Sequence, residues 1–309
     1  MTMIVGYASD ERGKAALHLA GMLARSAADD LIVCTVVPAP WVPGMARVDA
    51  EYQDFLAQSA DQALERARNF LPDDVPATYV RHSARSAPAG LLELAEQNHA
   101  RLIVLGSSSA GAFGHIALGS VTDRLLHSSH VSLALATRGF RCPADRKVSR
   151  VTAAFGGTET AEDLVLAAAS VSAEVNASLR IATFAVWARP AYTTRLGTDS
   201  EDLVMQEWRS ELDKTVTATL SQVQDLPEHP RSVETVIGSG TTWSEAIDEI
   251  GWEAGDVLVI GSSELGPVAR VFLGSRATKI LRHSPVPVLV IPHRRAEELA
   301  ERAEHGTED

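Results

Sequence analysis

Short apolar runs alternate along this chain with longer segments whose apolar positions recur at helical spacing. Met3 to Ala8 predicts a strand and Glu11 to Ala28 a helix. Leu31 to Val37 is a second strand, ended by Pro38, Pro40 and Pro43, which cannot continue a ladder. Ala50 to Leu71 follows as a long helix stopped by Pro72. Ala77 to Arg81 is a third strand, and Pro88 to Asn98 a helix with proline in its first turn. Leu102 to Leu105 predicts a fourth strand, Gly119 to His127 a helix, and Val131 to Ala136 a fifth strand.

The same order then recurs. Strands are expected at Val151 to Ala154, Leu179 to Val186, Ser232 to Ile237, Val257 to Ile260 and Val286 to Ile291. Helices are expected at Glu159 to Val175, Asp202 to Leu226, Thr242 to Gly251 and Gly274 to His283. The recurrence extends to the letters. Val104-Leu-Gly-Ser-Ser matches Val259-Ile-Gly-Ser-Ser, and Leu118-Gly-Ser matches Leu273-Gly-Ser. At that same spacing Leu126 meets Leu281 and Val131 meets Val286. Near the start Ile4 pairs with Val151 at a shorter spacing, so the second copy carries extra residues. The chain is a duplicated domain rather than a short-period solenoid. Strand–helix alternation implies parallel sheets covered on both faces, with right-handed crossovers. The domains are placed at 1–138 and 150–292, with 139–149 as linker and 293–309 as a charged tail read as a frayed surface helix.

Composition narrows the function. The chain has 309 residues, enough for two cores, with 45% apolar and 22% charged residues. Its net charge of −12 opposes any affinity based on neutralising a phosphate backbone, so no nucleic-acid partner is expected. Leu102 to Thr122 carries no charged side chain, but its glycines and serines suit a buried strand and a loop rather than a membrane helix. No targeting segment is visible at the start. The two cysteines, Cys34 and Cys142, form no disulfide framework or zinc set, which fits a reducing cytoplasm. Cys34 is expected in the core and Cys142 exposed and reactive.

The loop from Gly106 to Ser120 follows a strand and feeds a helix. In doubly wound sheets ligands sit beyond the carboxyl ends of the strands, and a helix start favours anions. Ser120 and Ser275 read either as helix caps or as phosphate donors. The spacing Gly, thirteen residues, Gly-Ser, then a helix ending in Arg282-His-Ser-Pro-Val-Pro-Val-Leu-Val-Ile, resembles the universal stress protein (UspA) family. The resemblance spans nearly the whole chain as two tandem domains. It implies five-stranded parallel sheets in order 3-2-1-4-5, doubly wound, with domains paired through their fifth strands within the chain and, in turn, between chains. Many members bind ATP and others do not.

The family's nucleotide pattern is Gly-x2-Gly-x9-Gly-Ser/Thr with an Asp just after the first strand. In the first domain Gly106, Gly119 and Ser120 match, while Ser109 replaces the second glycine. In the second Gly261, Gly274 and Ser275 match, while Glu264 would repel phosphate. Ala8 and Phe155 are read at the position of the Asp, and Asp10 is the nearest replacement. Both sites are therefore degenerate; the first keeps an uncharged loop able to hold ATP, with magnesium, weakly, and the second is expected to be inactive.

Other constellations are poor. His127 and His130 read as surface or capping histidines, and no metal site is expected. No Gly-x-Ser-x-Gly elbow accompanies the serines. Gly238-Ser-Gly240 lacks the third glycine of a dinucleotide fingerprint. Trp41 and Trp187 follow the second strands, lining a loop over the site or anchoring it. The expectation is a cytoplasmic, non-catalytic regulatory or interaction module with an unidentified protein partner. The alternatives are an ATP-binding sensor using Gly106 to Ser120, or a weak nucleotide hydrolase.

Overall fold

The computed structural model describes residues 1–39, 46–156, 159–187, 214–264 and 271–305. The first half runs β1 (Thr2–Gly6), α1 (Glu11–Ala27), β2 (Asp30–Pro38), α2 (Ala46–Arg68), β3 (Ala77–Ala84), α3 (Ala87–Gln97), β4 (Leu102–Gly106), α4 (Ser120–Ser128) and β5 (Ser132–Ala136). The second runs β6 (Arg150–Ala154), α5 (Glu159–Glu174), β7 (Ser178–Val186), a helix α6 described over 214–225, β8 (Val233–Gly240), α7 (Trp243–Glu249) and β9 (Asp256–Gly261). It continues through the short strands β10 (Ser263–Glu264) and β11 (Val271–Phe272), then α8 (Ser275–His283), β12 (Val288–Ile291) and α9 (His293–His305). The earlier part of the helix expected from Asp202, and Trp41 and Trp208, lie outside the described residues.

Each half is a parallel, doubly wound sheet, ordered β3-β2-β1-β4-β5 and β8-β7-β6-β9-β12. The two sheets join through β5 and β12, which pair antiparallel with Val288 opposite Leu135 and Val290 opposite Leu133. A single ten-stranded sheet results, and its outer edges are β3 and β8. Period-two alternation supplies both faces: Met3, Val5 and Val104 pack under α1, α2, α5, α6 and α9. Ile4, Ile103 and Leu105 pack under α3, α4, α7 and α8.

The register corrects one sequence alignment. Met3 pairs with Leu31 and Leu102, as Val151 pairs with Leu179 and Val257. The equivalent of Val151 is thus Met3, not Ile4, and Phe155 corresponds to Tyr7. Two hydrogen bonds repeat at these places: Tyr7 N–H donates to Cys34 O and Phe155 N–H to Ala182 O, both at 2.8 Å. Thr35 and Thr183 hydroxyls donate to the carbonyls of Tyr7 and Phe155 at 3.2 and 3.3 Å. The strand-end position therefore holds Ala8 in the first half and Gly156 in the second. Strands buried on both faces lack a regular polar–apolar alternation, so their pattern does not reject a one-residue slip.

The connection between halves is packed. Phe140 and Cys142 lie against the core, Val148 is buried, and the Val148 N–H donates to Ser26 Oγ at 2.8 Å. Arg101 bridges the buried Asp29 (2.6 Å) and Glu174 of α5 (2.7 Å), tying the two halves at one end of the sheet. Cys142 differs from the expectation of a reactive thiol. It is half-buried, its Sγ donates to His18 O at 3.3 Å, and burial pushes its pKa up, which suppresses the thiolate. Nor does α9 fray. Ala296 and Ala300 are buried and Leu299 and Ala303 pack beside them, a narrow stripe of mostly small residues hidden among charges. No described helix is long and apolar enough to cross a membrane, and the uncharged stretch from Leu102 resolves into β4, a loop and the start of α4.

Candidate functional site

The chain leaves β1 toward β2 and β3 on one side, and β4 and β5 lie on the other, so the crevice beyond β1 and β4 is the switch point of the first half. A cleft of about 460 Å3 opens there, lined by the β1–α1 turn, β2, α2, α3 and the start of α4. Gly106, Gly119 and Ser120 all line it. Ser109 does not; Ser108 occupies that place instead. The loop turns there because the Ser107 hydroxyl, buried, accepts from Ala117 N–H at 2.8 Å while Ser108 N–H donates to Ala117 O at 2.9 Å.

The two glycines serve different needs. A Cβ on Gly106 would lie 2.1 Å from the carbonyl oxygen of Arg12, so this glycine lets α1 cross the end of β4. A Cβ on Gly119 would meet only Ser108, at 3.6 Å, leaving that glycine's open side to the cleft. The cap expected of Ser120 is corrected: Gly119 is the N-cap, with extended backbone and no side-chain bond, and Ser120 is the first helical residue. Ser275 repeats this behind Gly274. A capping hydroxyl must stand one residue earlier, on the extended residue. The start of α4 thus brings uncapped, partly positive amides to the cleft wall through Ser120, Val121 and Thr122.

Two arginines complete the wall, and neither was flagged from sequence. Arg66 of α2 donates to Ser9 Oγ at 2.9 Å, and Arg12 stands at the start of α1. Arg66 is far from every motif along the chain, and only the docking of α2 beside β2 brings it in. Asp10 does not replace the missing carboxylate. It caps α1, accepting from Arg12 and Gly13 N–H, both at 3.0 Å, and pairs with the Arg12 guanidinium at 2.7 Å. Partial burial opposes its charge, but the bonds from Arg12 and Gly13 outweigh that and lower its pKa.

A lowered carboxyl pKa stabilises the fold above the unfolded value near 4, and the gain is lost as pH falls through the folded value. Asp10→Asn keeps the cap and removes the charge. Its stability deficit in urea unfolding should be present at neutral pH, under about 1 kcal/mol for so exposed a pair, and shrink as pH falls below about 4 through the folded value. An unchanged difference across that range would show that the charge plays no part.

The second half keeps the frame and changes the furnishing. Gly261 ends β9 and Gly274 precedes α8. Between them Ser263 pairs with Phe272 and Glu264 with Val271, antiparallel, so the residue expected to repel phosphate sits in a short ribbon. Phe155 is buried at the end of β6. His127, on α4, bonds the Asp123 carbonyl at 2.7 Å, and His130 lies 3.8 Å from Glu96. Gly238 and Gly240 sit where β8 meets α7: a Cβ on Gly238 would lie 2.1 Å from Ala246 O.

Two doubly wound sheets, each with a Gly–Gly-Ser loop at its switch point, define a tandem universal stress protein fold. A sequence model of the universal stress protein family matches residues 1–136 and 147–292, and the chain belongs to that family. It is 36% identical over 296 residues to universal stress protein Rv2319c of Mycobacterium tuberculosis, covering 94% of this chain and all of that one. The same figures hold for universal stress protein Mb2346c of Mycobacterium bovis. Among solved structures, a universal stress protein from Archaeoglobus fulgidus superposes with a TM-score of 0.61 at 20% identity, over 94% of this chain and 98% of that one. A functionally unknown protein, PA1789 of Pseudomonas aeruginosa, gives 0.57 at 12% identity, over 99% and 97%. At such identities the likeness is one of fold.

Proposed function

We propose that the chain is a non-catalytic regulatory module whose first-half cleft holds a nucleoside phosphate, and that the second-half cleft has lost this role. The observation that carries the reading is that Arg12, Arg66, Ser108 and the uncapped start of α4 line one cleft together with Val36, Leu91 and Leu105. The polar groups suit phosphates and the apolar side chains a base. ATP fits these residues, but among the described residues no Asp or Glu lines the cleft, so magnesium would arrive on the phosphates and gain no carboxylate from them. Among the described residues no His or Lys lines it either, and binding without turnover is what this set of side chains supports. In the second half, Glu264 beside the loop supports the loss.

Titration calorimetry of nucleotide-stripped protein with ATP and magnesium tests this. One site per chain is expected, abolished by Gly119→Val, whose added methyls enter the cleft, and unaffected by Gly274→Val. Arg66→Gln should weaken binding by about tenfold or more, the worth of a charge-assisted bond. No heat at either of two temperatures, or equal losses from the two glycine changes, would overturn the reading.

A further inference from the structure

Away from both clefts, three side chains with metal-binding chemistry meet where the C-terminal helix lies on the second half. His293 opens α9, Glu297 follows one turn later, and Asp163 faces them from α5. One ligand atom from each, an imidazole nitrogen and two carboxylate oxygens, lies within 4.8 Å of the others, and all three residues are partly buried. His293 Nε2 is 3.3 Å from Glu297 Oε1. It is the one such convergence among the described residues. Along the chain it is invisible, because Asp163 and His293 sit at opposite ends of the second half.

We propose that Asp163, His293 and Glu297 form a site for a divalent transition-metal ion of the zinc class, clamping α9 onto α5. A spacing of four residues puts His293 and Glu297 on one helical face, the arrangement by which helices offer two ligands to one metal. Ligand atoms about 2.0–2.2 Å from a zinc ion lie roughly 3–4 Å apart, so a small closure of these side chains encloses the ion. The imidazole sets the chemistry: a carboxylate cluster alone takes magnesium or calcium, whereas nitrogen with two oxygens favours zinc and its neighbours. Three protein ligands leave the fourth position to water.

The consequence lies in what α9 covers. Its apolar anchors among the buried residues are only Ala296 and Ala300. Yet Arg295, Leu299, Arg302 and Ala303 line a cavity of about 390 Å3 together with Leu23 and Val148 of the first half and the connection. An ion at the first turn of α9 fixes that wall where apolar contact is thin.

The test uses the full chain stripped with chelator and titrated separately with Zn2+, Mg2+ and Ca2+. One Zn2+ per chain is expected, with magnesium and calcium far weaker. His293→Ala and Glu297→Gln should each weaken zinc by about tenfold or more, and Asp163→Asn with both should remove it. Because the chain has 10 histidines, His127→Ala with His130→Ala serves as the control and should bind as the parent does. Zinc should also slow amide exchange in α9 of the parent but not of the triple variant. Should a variant fail to fold, the visible spectrum of the parent loaded with Co2+ must still report imidazole coordination. Zinc affinity unchanged in the triple variant, binding weaker than about 100 μM, or a cobalt spectrum equal to that of the free ion would each overturn the proposal.

Discussion

Gly106→Ala is expected to destabilise the chain by at least about 3 kcal/mol, and Gly261→Ala, the same change at the equivalent position, by no more than about 1 kcal/mol. The added Cβ at Gly106 would lie 2.1 Å from Arg12 O and 2.7 Å from its carbonyl carbon, both backbone atoms that cannot rotate away. At Gly261 the nearest atom is a Leu164 methyl at 3.6 Å, an ordinary contact. Urea unfolding followed by circular dichroism separates the two. Equal midpoints would show that α1 has room to retreat from β4 and that Gly106 serves some other need. The result also bears on the ligand: loss of nucleotide binding in a Gly106 variant would report a damaged fold, which is why Gly119 is the position to probe.

Leu135→Asp is expected to prevent recovery of soluble, folded protein, or to leave two halves that unfold separately. Leu135 is 1% exposed and pairs across the seam with Val288, itself fully buried. An unpaired carboxylate there would sit within a buried apolar cluster, where its desolvation costs several kcal/mol. The seam also hides the edges of β5 and β12, which would otherwise offer unpaired backbone groups to other chains. Calorimetry of the parent should show one cooperative transition, since a shared sheet and the Asp29–Arg101–Glu174 bridge couple the halves. Two well-separated transitions in the parent would mean that the seam contributes little.

The strands and their double winding were legible because each apolar run is short, bounded by Pro or Gly, and followed by helical spacing. The repeated Gly-Ser before α4 and α8 marked the switch points, since a chain passing from strand to helix over a ligand cleft needs small residues there. The cleft's cations were not legible. Arg12 and Arg66 carry no local pattern, and what makes them neighbours is the stacking of α1 and α2 on the sheet. Ser109 failed for a related reason: Ser107, whose buried hydroxyl holds the loop's return, sets the turn, so Ser108 faces the cleft. The packing of α9 was hidden because its buried face is mainly alanine, which adds little to an apolar pattern.

The antiparallel seam has a consequence for inheritance. In a symmetric pair of identical subunits every substitution is made twice, and a change that ruins one cleft ruins both. Here the antiparallel seam sends the two switch points to opposite ends of one shared sheet within a single polypeptide, so each is written by its own codons. Glu264 stands in one loop where Ser109 stands in the other, and Phe155 holds on one side the place that Tyr7 holds on the other. Fusion thus preserves the mechanical partnership of the two sheets while freeing their clefts to drift apart.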